Sequence, residues 1–316
     1  MAPLKDLHIL PKLRDSMTYL YVEHCTVDRE AKAISLLDKD GITSVPSAAL
    51  TLLMLGPGTK VTHAAMTALA DCGCMALWCG EQGVRFYASG TGETRSAKNL
   101  MKQAVLWSRT DTRLRVVRAM YAMRFGEPVD ETHSLEELRG KEGARMRNTY
   151  AKISKETGVE WSGRSYNRSD WNSADPVNRA LSCANSCLYG LCHAAIVSLG
   201  YSPGLGFIHT GKQLSFVYDL ADLYKAETTI PASFAAVAEG SVQLERRVRL
   251  NLRDRFRETR LLERIADDLN ALFDMDPLEE DKVLLAFDED MALPGNLWDE
   301  KGSVEGGVMY GMEDRQ

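Results

Sequence analysis

The sequence predicts an α+β fold, with a small N-terminal β-rich domain followed by a larger all-α-helical domain, and three observations carry that expectation. Through residues 16–55, β-branched and aromatic residues alternate with polar ones and are broken by turn pairs. From Ser96 onward apolar residues recur at helical spacing instead. Between the two lies Gly90-Thr91-Gly92, where the period changes. The expected division is a β domain over residues 1–90, a linker at 91–95, a helical domain at 96–272 and an acidic, flexible tail over 273–316. A chain of 316 residues is long enough for two such units with cores of their own.

In the N-terminal part, SMTYLYVEH and AKAISLLDKDGITSVP read as strands, and Asp40-Gly41 between apolar runs signals a hairpin. ALTLLML reads as a buried strand closed by Gly56-Pro57-Gly58. Thr62 caps a short helix through Ala70, and MALWC and VRFYAS supply two further strands.

Beyond the linker, AKNLMKQAVLWSR and TRLRVVRAMYAMRF each carry an apolar stripe with arginines opposite. Ser134-Leu135-Glu136-Glu137 forms a capping box for a short helix expected to end near Gly140, and a second helix is expected from Lys141 to Glu156, stopped by Gly158. SYNRSDWNSAD reads as a loop. Asp175-Pro176 then gives an N-cap and a first-turn proline to a long buried helix ending at Gly200, with Asn178 and Tyr189 as its polar exceptions. PASFAAVAE and SVQLERRVRLNLRDRFRETRLLERI read as two more helices. The second presents Arg249, Arg253, Arg257 and Arg260 on one face, which suits a track for phosphates and equally suits a solvated, salt-bridged surface.

The stretch Tyr201 to Lys225, YSPGLGFIHTGKQLSFVYDLADLYK, holds the candidate chemistry. Leu214, Val217, Tyr218 and Ala221 take the spacing of a buried helix face, while Ser215, Asp219 and Asp222 line a different one. The two aspartates are therefore neighbours, with Cβ atoms about 5–6 Å apart. Carboxylates that close repel unless a cation or a shared proton lies between them, and His209, delivered by the preceding loop, adds a third donor. A divalent metal accounts for that trio; so do a solvated helix face and a packed core histidine. Glu142, followed by Arg145 and Arg147, reads on its own as a surface acid paired with arginine.

The formal net charge of −6 is unevenly spread. From Ile265 to the end there are 15 acidic and 3 basic residues, leaving 35 basic and 29 acidic in the body, so a basic body carries an acidic tail. Such asymmetry suits a polyanion partner. Seven cysteines without a signal-peptide core suggest reduced thiols and a cytoplasmic setting, and Cys72, Cys74 and Cys79 lack the second half of a zinc pattern. No apolar run is expected to span a membrane.

LRGKEGARMRNTYA, the Asn178 helix with SCLYG, and GFIHTGKQLSFVYDLADLYK, together with LGPGTKVTHAA and GVRFYASG, resemble in order the integrase-endonuclease subunit of CRISPR adaptation, the CRISPR-associated protein 1 family, in its type I-E form. The likeness runs from about Asp15 to Arg264. It implies that the helical domain is catalytic and that the protein works as a homodimer, two dimers flanking a dimer of a small ferredoxin-like partner. The implied substrate is a DNA duplex with 3′ overhangs, whose 3′-hydroxyl ends attack phosphodiesters of the CRISPR repeat. The resemblance implies Glu142, His209 and Asp222 as ligands of Mg²⁺ or Mn²⁺, Asp219 as an adjacent catalytic acid, and Tyr189 and Lys225 beside the metal. It also implies that Arg85 contacts phosphate, that Tyr166 reads an overhang base, and that the wedge at the duplex end falls at Tyr21 or Val22. Two other functions fit the sequence: a metal-dependent repair nuclease using the same residues on branched DNA, and a scaffold that only binds DNA and recruits partners, its acids being ordinary surface charge.

Overall fold

The computed structural model describes residues 19–274, apart from 32, 48–49, 51, 82–85, 91–96, 131 and 165–174, together with 297–299 and 302–304. The N-terminal strands are β1 (Tyr19–Val22), β2 (Thr26–Glu30), β3 (Ala33–Asp38), β4 (Gly41–Pro46), β5 (Leu52–Leu55), β6 (Lys60–Val61), β7 (Met75–Cys79) and β8 (Phe86–Gly90). They form two mixed sheets. One has the order β1-β5-β7-β8, with β8 antiparallel to an otherwise parallel set; the other has the order β4-β3-β2-β6, with only β6 parallel to its neighbour.

Strand β5 explains how the sheets are stacked. Its four residues, LLML, are all buried, as expected of a strand covered on both faces. Leu53 and Leu55 point into a core shared with Val27 and Ile34 of the second sheet and with Leu69 of α1 (His63–Asp71), while Leu52 and Met54 point into the core of the helical part. Thr62 caps α1 as its sequence predicts, its hydroxyl accepting the Ala65 N–H at 3.1 Å. The β3–β4 hairpin turns at Lys39-Asp40, one residue earlier than expected. Asp38 pairs with Gly41, and the Asp38 carboxylate accepts the N–H groups of both Asp40 and Gly41. Gly41 lies at φ 138°, a conformation that favours glycine.

The helical part comprises α2 (Lys98–Ser108), α3 (Thr110–Phe125), α4 (Leu135–Thr157), α5 (Pro176–Ser198), α6 (Ser215–Ala221), α7 (Thr229–Ala238), α8 (Leu244–Glu258) and α9 (Leu261–Phe273). Helix α5 is the centre, touched by α6, α7, α8, α9, β7 and β8. Asp175 caps it and Pro176 opens it, as expected. Contrary to the sequence expectation, its 23 residues are long and apolar enough to cross a membrane by length and composition; here they form the buried core helix. His193 of α5 stacks on Phe86 of β8 at 3.7 Å, tying sheet to helices, and burial pushes its imidazole down to about 4. All seven cysteines are free thiols.

Three expected boundaries move. The two short helices around Gly140 are one helix, α4, with the capping box at Ser134 in place and Gly158 at φ 69° as the stop. A glycine weakens a helix interior without ending it when both flanks remain good helix formers. The single helix expected from Ser241 to Ile265 is two, because Arg260 takes the left-handed conformation at φ 48° between α8 and α9; no glycine or proline marks the break. The tail, expected to be flexible or to order locally on binding, contains a short antiparallel pair, β9 (Leu297–Asp299) with β10 (Gly302–Val304).

Continuity of α4 has a consequence for Gly140. A Cβ there would meet no atom within 4 Å. Gly140→Ala is expected to stabilise the protein by about 1 kcal/mol, read as a raised thermal midpoint by circular dichroism; a lowered midpoint would mean that the helix bends or ends there.

Candidate metal centre and nucleic-acid interface

Helix α6 places Asp219 where the sequence pattern does not. Far from lining a polar face, Asp219 is fully buried, as is Ser215. Its carboxylate accepts three consecutive backbone N–H groups, from Phe207 at 2.6 Å, Ile208 at 3.0 Å and His209 at 2.8 Å, and lies 2.7 Å from the His209 Nδ1 atom. One side chain thus shapes a loop and orients the imidazole at its end. The Asp219 hydrogen bond raises the His209 pKa against the opposing effect of burial, with further help from the Asp219 and Asp222 charges. With Nδ1 engaged, Nε2 of this half-exposed ring is the nitrogen left to bind something else.

Asp222, the C-cap of α6, is divided between two cations. Its Oδ1 accepts from Lys225 Nζ at 2.6 Å, and its Oδ2 lies 3.4 Å from Arg124 Nη2. Lys225 Nζ also stands 5.1 Å from the centre of the Tyr189 ring. Burial works to lower the Lys225 pKa, and the Asp222 carboxylate and the Tyr189 phenol together more than offset it, so the ammonium is held above its ordinary value. Tyr189 packs edge-on against Tyr218 at 5.1 Å, and Tyr218 meets the His209 ring at 6.0 Å. Tyr189, His209, Asp219, Asp222 and Lys225 therefore form one cluster.

Glu142 stands apart from that cluster's contacts. Its carboxylate is held by Arg145, Nε to Oε2 at 2.8 Å and Nη2 to Oε1 at 3.1 Å, the surface pairing that its sequence context suggests. It is nonetheless close enough that Glu142 and Asp222 both act electrostatically on the buried Tyr121 hydroxyl. Among the described residues, no three His, Cys, Asp or Glu side chains stand close enough to enclose an ion. The donor set still suits a hard divalent cation: two carboxylates and one imidazole whose tautomer is fixed by a buried acid. Arg145 on Glu142 and Lys225 on Oδ1 of Asp222 are long and flexible, whereas Arg124 on Oδ2 of Asp222 is enclosed.

Several residues that build the site are not among the candidates read from the sequence. Asn99, Gln103 and Trp107, spaced by four along α2, form a polar stripe against the loop that leads to His209. Asn99 donates to the Leu199 carbonyl, Gln103 to those of Ser202 and Leu205, and Trp107 to that of Gly206, at 2.7–3.1 Å. Arg113 of α3 adds bonds to the Gly206 and Phe207 carbonyls. The expectation that the arginines of α2 and α3 face away from the core thus fails at Arg113 and at Arg124, which is buried. A polar residue recurring every four positions within an apolar helix is the signal that would have found the stripe. Gly206 is needed where it stands, because a Cβ would lie 2.4 Å from the His209 carbonyl oxygen.

A second feature lies between α8 and β1. Arg249, Arg253 and Arg257 line a cavity of about 600 Å³ whose other wall includes Tyr19, Tyr21 and Glu23. Arg260, at the helix break, does not line it. Of the two wedge candidates, Tyr21 lines this cavity while Val22 is buried in the sheet core. Arg85 and Tyr166 lie outside the described residues.

Residues 122–251 match the family model described as CRISPR associated protein Cas1. The chain is 56% identical over 316 residues to CRISPR-associated endonuclease Cas1 2 of Thermus thermophilus, a match covering 99% of this chain and 96% of the relative. The solved TtCas1–DNA complex superposes with a TM-score of 0.77 at 57% identity, covering 84% of this chain and 99% of that one. A chain of the partial Cas6-RT-Cas1–Cas2 complex, 16% identical, shares the fold at a TM-score of 0.58, covering 81% of this chain and 94% of that one. This chain belongs to the Cas1 family of CRISPR-associated endonucleases.

The Asp219 clamp makes two measurable statements about the metal-free protein. Asp219→Asn, which exchanges an acceptor for a donor facing three N–H groups, is expected to cost about 3–5 kcal/mol in chemical denaturation. The His209 imidazole is expected to titrate above 6.5 by NMR in EDTA and to fall back in that variant. Because the folded pKa is raised, the associated stability is fully present below the unfolded value and is lost as pH rises through the folded one. A wild-type His209 titrating below 6.5 would contradict the assignment.

Proposed function

We propose that this chain is the metal-dependent endonuclease and integrase of CRISPR adaptation, of the type I-E form, inserting short DNA into the repeat array by attack of 3′-hydroxyl ends on phosphodiesters. The observation that carries the reading is the pairing of a buried, loop-clamping Asp219 with His209 and the neighbouring Asp222. Glu142, His209 and Asp222 would hold Mg²⁺ or Mn²⁺, with Glu142 leaving Arg145 to do so. The bound cation would polarise the scissile phosphate and offset the negative charge that builds during attack. Lys225 and Tyr189 would border the reacting phosphate, the ammonium adding positive charge and the phenol a hydrogen-bond donor. Asp219 acts by holding the His209 ring in its tautomer and orientation.

Around this centre, Arg249, Arg253 and Arg257 would follow a DNA backbone, with Arg85 and Tyr166 contributing phosphate and base contacts. The proposed assembly is a homodimer, two dimers flanking one dimer of a small ferredoxin-like partner, in the cytoplasm. The TtCas1–DNA complex supports the DNA part of that reading, and the Cas2-bound fold neighbour is consistent with a Cas2 partner.

His209→Ala and Asp222→Ala are each expected to abolish joining of a 3′-overhang duplex to a repeat-containing plasmid, assayed in Mn²⁺ with the small partner, while duplex binding stays within severalfold of wild type. Joining at the wild-type rate by either variant would sink the ligand assignment. Cleavage of branched DNA with no joining, with or without the partner, would favour a repair nuclease. Replacing Arg249, Arg253 and Arg257 by Gln should weaken binding of all duplex sequences alike and flatten the dependence of log affinity on log salt by about 0.9 for each phosphate no longer neutralised.

A further inference from the structure

We infer that Arg124 is a positioning residue of this centre: its guanidinium, spanning the Asp219 carbonyl and the Asp222 carboxylate, fixes Oδ2 of Asp222 and leaves Oδ1 as the oxygen available to a cation. The inference rests on the metal-centre reading above and adds to it a residue 95 positions away in sequence from Asp219, whose carbonyl it binds.

Arg124 sits in the last turn of α3 with 4% of its side chain exposed. A single atom, Nη2, makes both contacts, 3.2 Å to the Asp219 carbonyl and 3.4 Å to Asp222 Oδ2. The first contact follows from how α6 ends. The Leu223 N–H donates to Leu220 and the Tyr224 N–H to Ala221, a tightening to three-residue spacing, and the guanidinium supplies a donor to the Asp219 carbonyl. The two bonds together set the distance between the Asp219 backbone, whose side chain holds His209, and the Asp222 carboxylate.

An ordinary buried ion pair would look different. Buried arginines that serve stability alone satisfy their nitrogens, because an orphaned buried N–H is costly. The Arg124 Nε atom is buried with no partner among the described residues, and the guanidinium stands 5.4 Å from the Tyr121 ring centre. The two cations on Asp222 are also unequal. Arg124 is enclosed and planar, whereas Lys225 is 22% exposed on a flexible stem and can leave Oδ1 without unfolding anything.

The test is Arg124→Lys, which keeps the charge and replaces the enclosed planar guanidinium with a flexible ammonium, compared with wild type, Asp222→Asn and the double variant. Mn²⁺ binding is followed by electron paramagnetic resonance, and thermal midpoints are taken in EDTA. Arg124→Lys is expected to weaken Mn²⁺ binding about 10-fold or more, the size typical of groups that orient metal ligands. Its loss of thermal midpoint is expected to be much smaller on the Asp222→Asn background than on wild type, because the carboxylate it serves is already gone. Unchanged Mn²⁺ affinity in a folded Arg124→Lys protein overturns the inference, as does an Arg124→Lys chain that fails to fold on both backgrounds. Wild-type protein that binds no Mn²⁺ would instead overturn the metal centre on which it rests.

Discussion

The arrangement of this centre depends on one buried carboxylate. Removing a carboxylate from water is costly unless its oxygens are fully engaged, and Asp219, with no exposed surface, engages both: three backbone N–H groups and an imidazole converge on it. The cost falls on a loop that has no regular structure, and the carboxylate supplies the hydrogen bonds that a helix or strand would have given. Residues 207–209 are ordered because Asp219 is there, and His209 is placed because they are ordered. The same bond separates the roles of two acids that look alike in sequence: Asp219 is committed to the protein, and Asp222, 22% exposed at its side chain, is available.

That commitment would fail if the loop could drift from the helix, and a second set of contacts prevents it. Polar side chains of α2 and α3 hold the carbonyl side of the loop while Asp219 holds its N–H side, so both edges of the backbone are satisfied by distant parts of the chain. Behind these helices stands α5, and behind α5 the first sheet, whose two faces belong to different cores. The β and helical parts are therefore mechanically continuous through β5, β7 and β8. The arginine-lined cavity between α8 and β1 lies across that junction, with walls drawn from both parts.

Much of this was legible in the sequence, and what was not shares a physical cause. Local devices read correctly: the Thr62 cap, the Ser134 capping box, the Asp175-Pro176 start and the Gly158 stop each act within a few residues. The central stretch was legible too, because His209, Asp219 and Asp222 lie within fourteen consecutive positions. The failures are those of long-range context. Gly140 ended a helix by local rules that the flanking turns overrode, and Arg260 broke one that local rules continued. Helical spacing put Asp219 on a polar face because amphipathicity assumes that polar means solvent-facing; a buried acid satisfied by another segment violates that assumption. Arg124 and Gln103 escape for the same reason, since their partners are about a hundred residues away.

Charge balance connects the centre to its proposed chemistry. The carboxylates Glu142, Asp219 and Asp222 are matched by the cations Arg145, Arg124 and Lys225, so the centre is close to neutral as it stands. A neutral centre has little attraction for a phosphodiester, and so the basic groove along α8 would have to do the capturing. A divalent cation entering the cluster would change this without any carboxylate being added, giving an excess near two positive charges. That excess complements the charge gained by a phosphodiester on attack, and it arises only where the cation is bound. Arginine and lysine already paired with these carboxylates would thus serve in both states: they keep the acids from repelling one another when no ion is present, and under the proposed chemistry they would turn an added ion into net positive charge at the phosphate.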